Sequence, residues 1–85
     1  MLNVATIGQI IRDERKELGL RQDELAAASG VGLRFLVELE RGKPTVQMGK
    51  VLDVLAGLGC ELQIKRPDGI VITGLADAPE KDESE

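Results

Sequence analysis

Histidine is absent from the chain, and cysteine occurs once, at Cys60. These two scarcities exclude imidazole proton transfer, Cys–His nucleophilic pairs and a cysteine-rich zinc site. A lone thiol cannot close a disulfide within one chain, and in an apolar stretch it reads as a small buried hydrophobe. Tryptophan and tyrosine are also missing, leaving Phe35 as the sole aromatic. A core must then be built from Leu, Val, Ile and Ala, which suits packed helices better than a sheet sandwich. No apolar run is long enough to span a bilayer, and the N-terminus lacks a secretory signal pattern; a soluble cytoplasmic protein is expected. There is no Gly-rich phosphate loop, and the many carboxylates fall on helix faces or near the C-terminus. Neither an enzyme nor a metal or organic cofactor is expected.

What remains is an 85-residue chain that is 42% hydrophobic, room for one small domain and a tail. A core of this size supplies roughly 3–5 kcal/mol, so association between copies is an expected aid. The net charge of −4 opposes binding to polyanions until its distribution is considered. Residues 76–85 carry five acids (Asp77, Glu80, Asp82, Glu83, Glu85) against Lys81, which accounts for all of it. The neutral body can still bind phosphate if its basic groups gather on one face.

Apolar periodicity predicts a helix over residues 7–18, with Thr6 and Gln9 as a capping box and Ile7, Ile10, Ile11 and Leu18 facing inward. Arg12, Asp13, Glu14 and Lys16 fall largely on the opposite face, and Gly19 is a stop. A short second helix is expected over 22–29, with Asp23 and Glu24 in its first turn and Leu25 and Ala28 inward. A third is expected over 33–41, with Leu36 and Leu39 inward. A fourth follows a cap at Thr45 and carries a Met48, Val51, Leu52, Leu55 stripe. Residues 61–65 then alternate in polarity as a strand does, Pro67-Asp68-Gly69 signals a turn, and 70–73 can form a second strand. A strand over 61–65 needs a partner, either 70–73 or the same strand of a second subunit. The expected divisions are 1–59, a helical domain; 60–74, a strand region for dimerisation; and 75–85, a disordered acidic tail.

The stretch from Gln22 to Arg41 has the spacing of two short helices crossing steeply at a tight turn. Ala26 is small enough for close crossing, Gly30 tolerates positive φ, and Val31, Leu36 and Leu39 pin the second helix to the body. At about 100° per residue, Arg34, Glu38 and Arg41 then cluster on the outer side of that helix. An arginine there can donate twice to guanine O6 and N7, and a glutamate can accept from cytosine N4. Arg34 and Glu38 also stand at i and i+4, where a solvated ion pair is an equally simple role. Phe35 lies between the core edge and the outer face, available for packing or for contact with a thymine methyl or a partner.

The motifs Gly19-Leu20-x-Gln22-x-Glu24-Leu25-Ala26, Ser29-Gly30-Val31 and Leu36-x-x-Leu39-Glu40-Arg41-Gly42 resemble the Xre/Cro-type helix-turn-helix family over residues 6–58. The run from Arg34 to Thr45, followed by a helix and a strand, resembles HipB-type antitoxins in particular. The resemblance implies a mainly α fold: four to five helices in the lambda-repressor-like arrangement with a C-terminal β-strand or hairpin. It also implies a dimeric repressor whose third helix enters the major groove of a palindromic operator in double-stranded DNA. In the HipB branch, C-terminal strands pair between subunits, here Glu61, Leu62, Gln63, Ile64 and Lys65, and a HipA-type kinase toxin is a further partner. Carried over residue by residue, Gln22 matches a backbone- or base-contacting position, Arg34 and Glu38 base-facing positions, and Arg41 and Lys43 a phosphate-touching loop. Arg15 and Glu40 match a structural ion pair. Arg21 stands where a capping Thr or Ser is usual, where it can add a phosphate contact; Gly32 stands where a polar N-cap is common. Leu33 and Val37 complete the set expected to face DNA. The expected function is an autoregulating repressor-antitoxin. The alternatives are a stand-alone regulator and a helical protein–protein adaptor that does not bind DNA.

Overall fold

A computed structural model describes residues 2–73, so the acidic segment expected to be disordered lies outside the described residues. Four helices, α1 (Val4–Glu17), α2 (Gln22–Ser29), α3 (Leu33–Glu40) and α4 (Met48–Gly57), precede two short strands, β1 (Gln63–Lys65) and β2 (Val71–Thr73). Helix α1 starts earlier than the periodicity predicts. Its cap is Asn3, whose Oδ1 accepts from the Thr6 amide at 2.8 Å and the Thr6 hydroxyl at 3.0 Å. Asn caps well because its short side chain reaches the third helical amide. Thr6 therefore donates to a cap instead of being one, and Gln9 donates onward to Asp13 rather than back to the helix start.

The core is formed by Ile11, Leu25, Leu36, Leu39 and Val54, all without exposed surface, joined by Ala26, Val51, Leu55 and Leu58. Several apolar residues expected inside lie outside: Ile10, Leu18, Ala28, Met48 and Leu52 are exposed. In α4 the inward row is Val51, Val54, Leu55, Leu58, and the backbone of Gln47 starts the helix without a side-chain cap, so Thr45 has no capping role. Two rows of the same helical period overlap in this segment, and packing against α2 chooses between them. The close approach of α4 to α2 is visible at Gly57, where any side chain would run into Ser29.

The α2–α3 turn depends on backbone freedom at Gly30, which has φ +72°. In that left-handed conformation the Gly30 and Val31 amides donate to Ala27 O (3.3 Å) and Ala26 O (3.0 Å), closing α2 within two residues. Ala26, 3% exposed, lies under the crossing. At the other end of α3, α1 passes so close that a side chain on Gly8 would run into the carbonyl of Leu39.

The strands form an antiparallel pair within the chain, with Gln63 opposite Thr73, Ile64 opposite Ile72 and Lys65 opposite Val71. The partner of β1 is thus β2, and Glu61 and Leu62 precede the strand. The turn is tied by Arg66 N–H to Ile70 O at 2.8 Å, Gly69 N–H to Arg66 O at 2.9 Å, and Ile70 N–H to Asp68 Oδ1 at 3.0 Å. Alternation places Ile64 and Ile72 together on one face, where both remain exposed.

Gly8 is the tightest contact in this framework. In a free helix Gly→Ala stabilises by about 1 kcal/mol. Here the added methyl overlaps a backbone carbonyl that cannot retreat without moving α3. Gly8→Ala is therefore expected to destabilise the domain by about 1–3 kcal/mol despite its better propensity. A urea-unfolding midpoint equal to or above the parent's would show that the helices can separate at no cost.

Candidate nucleic-acid interface

The Gly8 approach brings α1 and α3 into register, so that Arg15 reaches across to Glu40. The guanidinium donates to Glu40 Oε2 from Nε at 2.7 Å and to Oε1 from Nη2 at 3.0 Å, while Nη1 donates to Leu20 O at 2.9 Å. The side chains are only 10% and 3% exposed. Hydrogen bonding to Glu40 raises the Arg15 pKa, against the opposing effect of burial. Gln22, at the start of α2, donates to the same Glu40 oxygen at 3.0 Å. One carboxylate thus joins α1, α2 and α3.

With α3 fixed by Leu36, Leu39 and Glu40, its other side is free. Arg34 is 92% exposed, and its Nε lies 3.5 Å from Glu38; Lys43 approaches the same carboxylate at 3.3 Å. Glu38 is thus held between two cations in a row along the outer face. Leu33, 48% exposed, sits beside Arg34 at the helix start. Phe35 packs against the core edge, with the Lys50 ammonium over its ring 5.5 Å from the centroid.

Arg21 is placed differently. Its backbone N–H donates to Glu24 Oε1 at 2.8 Å, which starts α2 without a side-chain cap from Arg21 itself. Its guanidinium is engaged by Asp23 at 3.1 Å and Glu24 at 3.7 Å. This contact holds the Asp23 carboxyl below the usual carboxylate range. A phosphate would have to compete with two carboxylates for this arginine.

Sequence reasoning missed Arg12. Counted among the solvent-facing residues, it instead lines an open cleft of about 290 Å³ with Arg15, Gln22, Val37, Glu40 and Arg41. The spacing of Gly8, Arg12 and Arg15 (i, i+4, i+7) was the available signal, since it places all three on the side of α1 that meets α3. The residues expected at a dimer contact, Glu61 to Lys65, lie away from α3 in sequence; Leu62 is half-buried and the other four are exposed.

No group of three His, Cys, Asp or Glu among the described residues could hold a metal ion. Burial, with a smaller effect from Glu14, raises the Cys60 pKa above that of a free thiol. No helix among the described residues is long and apolar enough to cross a membrane.

Comparison with known proteins matches residues 11–65 to the family described as Helix-turn-helix. An uncharacterised HTH-type transcriptional regulator of Sinorhizobium fredii is 62% identical over 63 residues, covering 74% of this chain and 83% of that protein. An uncharacterised HTH-type transcriptional regulator of Haemophilus influenzae is 36% identical over 63 residues, covering 74% of this chain and 63% of that protein. A 10 kDa protein of the ImmF control region of Bacillus phage phi105 is 40% identical over 43 residues, about half of each chain.

The buried pair yields a test of how α3 is held. Glu40→Ala leaves a guanidinium buried without its counter-charge, a change expected to destabilise by about 3–5 kcal/mol. For so small a domain this means substantial loss of the helical circular dichroism signal at 25 °C. Replacing both partners together (Arg15→Met with Glu40→Leu) should recover most of the signal. A Glu40→Ala protein as stable as the parent would mean that packing alone positions α3.

Proposed function

The chain belongs to the Xre-type helix-turn-helix family, and from that premise we propose that it is a sequence-specific DNA-binding repressor acting as a homodimer in the cytoplasm. The observation that carries this reading is the outer face of α3, with one almost fully exposed arginine on its first turn and its opposite side locked into the core. A helix immobilised in this way can enter a major groove without losing its own packing, and its N-terminal residues then meet base edges. Arg34 donates to guanine O6 and N7, Glu38 accepts from cytosine N4, and Leu33 lies against a thymine methyl. Lys43 and Arg41 contact phosphates and set the register, with Arg21 in a lesser role. Gln22 stays on Glu40 and positions the start of α2 along the backbone. The names of the relatives support transcriptional regulation.

The homodimer rests on the hairpin. Two strands with one apolar face are marginal in water, and Ile64, Ile70 and Ile72 are each about half exposed. A second copy laid on the Ile64–Ile72 face covers them and sets two α3 helices against half-sites about 34 Å apart in a palindromic operator. An antitoxin role, with a HipA-type kinase toxin as partner, is favoured by the Arg34–Thr45 run followed by a helix and strand. Co-purification with the product of the adjacent gene tests it; without such a product bound, the chain is a stand-alone regulator.

Two measurements test the main reading. Arg34→Ala should weaken operator binding by about 1–3 kcal/mol, relaxing preference at one base position. Unchanged binding in a gel-retardation titration would remove Arg34 as the reader. Ile64→Asp should shift the protein from dimer to monomer in sedimentation velocity while leaving the helical signal intact; a dimer that persists would place the interface elsewhere.

A further inference from the structure

The cleft between α1 and the end of α3 has a floor whose polar groups are occupied. All three guanidinium nitrogens of Arg15 donate within the chain, and Glu40 Oε1 accepts from both Arg15 and Gln22. That floor is electrically neutral. The rim is not: Arg12 and Arg41 line the same cleft, are exposed, and make no ion pair among the described residues. The other carboxylates of α2 and α3 are engaged elsewhere, Glu38 with Arg34 and Lys43, and Asp23 and Glu24 with Arg21. Two exposed guanidiniums thus line an open cleft whose one carboxylate, Glu40, is already paired with Arg15.

We propose that this cleft seats a DNA backbone phosphate, with Arg12 from α1 and Arg41 from the C-cap of α3 as a two-sided clamp. The inference deepens the DNA-binding reading and rests on it. The occupant follows from position. Val37 lines the cleft and stands one turn from Arg34 and from Arg41, so the cavity is continuous with the outer face of α3. A groove that receives Arg34 is flanked by a sugar–phosphate strand passing over Val37 and into reach of both guanidiniums. Arginine suits the task because its planar fork meets two phosphate oxygens at once. The floor contributes rigidity: Arg12 rises from the stretch of α1 that Gly8 and Arg15 hold against α3, so the clamp is formed before DNA arrives. Arg12 reads no base and sets where along the duplex Arg34 comes to rest.

The test is the salt dependence of duplex binding by the full chain, measured on an operator duplex and on one of random sequence. Arg12→Ala should weaken binding to both by the same factor, about fivefold to tenfold per subunit at 0.1 M salt, and reduce the steepness of log K against log salt by about 1 for each bound subunit. Arg12→Lys, which keeps the charge, should keep the slope. The urea midpoint of Arg12→Ala should stay at the parent value, since the Arg12 side chain makes no ion pair or hydrogen bond among the described residues. An unchanged slope, or a loss confined to the operator duplex, would overturn the clamp. A parent protein that binds neither duplex at low salt overturns the DNA-binding reading itself, a result seen before any variant is made.

Discussion

Everything on the outer face of α3 depends on a close helix crossing made by a residue without a side chain. Gly8 allows α1 to lie against the last turn of α3, and only at that separation does the Arg15 guanidinium reach both oxygens of Glu40. The pair is nearly dry, where a charge without its partner is strongly destabilising. Its role is better described as specificity than as net stability. A hydrophobic substitute could hold α3 in place, but it would not also fix Gln22 and the carbonyl of Leu20 through the same two side chains. The rotation of α3 about its axis, and with it the direction of Arg34, follows from this carboxylate on one side and from Leu36 and Leu39 beneath.

The charges are then distributed with economy. A body of zero net charge would be a poor match for a polyanion if its acids and bases were mixed at random. Instead most acids near the candidate interface are committed to partners. Glu38 lies between Arg34 and Lys43, Glu40 is buried under Arg15, and Asp23 and Glu24 hold Arg21. Exposed pairs of this type contribute roughly 0–1 kcal/mol. They are loose enough to exchange for stronger contacts with a nucleic acid, yet they quench the isolated field of each cation. On the proposed reading, Glu38 has two functions: in the free protein it orients Arg34, and in a groove it becomes an acceptor once Arg34 turns to a base.

Much of this was legible in the sequence, and the reasons for the exceptions are local. The crossing of α2 and α3 could be read because geometry restricts single positions: a small residue at Ala26, positive φ at Gly30, apolar pins at Leu36 and Leu39. The start of α1 could not, because Asn3 and Thr6 are both residue types that cap helices, each three residues before a different amide, and the fold uses Asn3 with the Thr6 amide. In α4, rows beginning at Met48 and at Val51 have the same period, so the phase is set by which row α2 covers. Arg12 was hidden for a similar reason. Its face of α1 is polar by composition, and it becomes part of a cleft only once α3 is placed beside it. Strand alternation identified β1, but periodicity alone does not distinguish a partner within the chain from one outside it.

The shortness of α3 also explains why the hairpin matters to the proposed function. Eight residues carrying one long exposed donor can discriminate a few base pairs at most, each worth about 1–3 kcal/mol. Phosphate contacts add affinity without adding selectivity, so a single copy would be held on DNA mainly by charge. Selectivity then has to come from joining two readers rigidly, because the discrimination of both half-sites is summed within one binding event. A flexible link would lose much of this gain, whereas the proposed pairing through a sheet face built from Ile64 and Ile72 would provide a stiff one. The exposed apolar face of the hairpin and the sparse outer face of α3 are, in this respect, two halves of the same requirement.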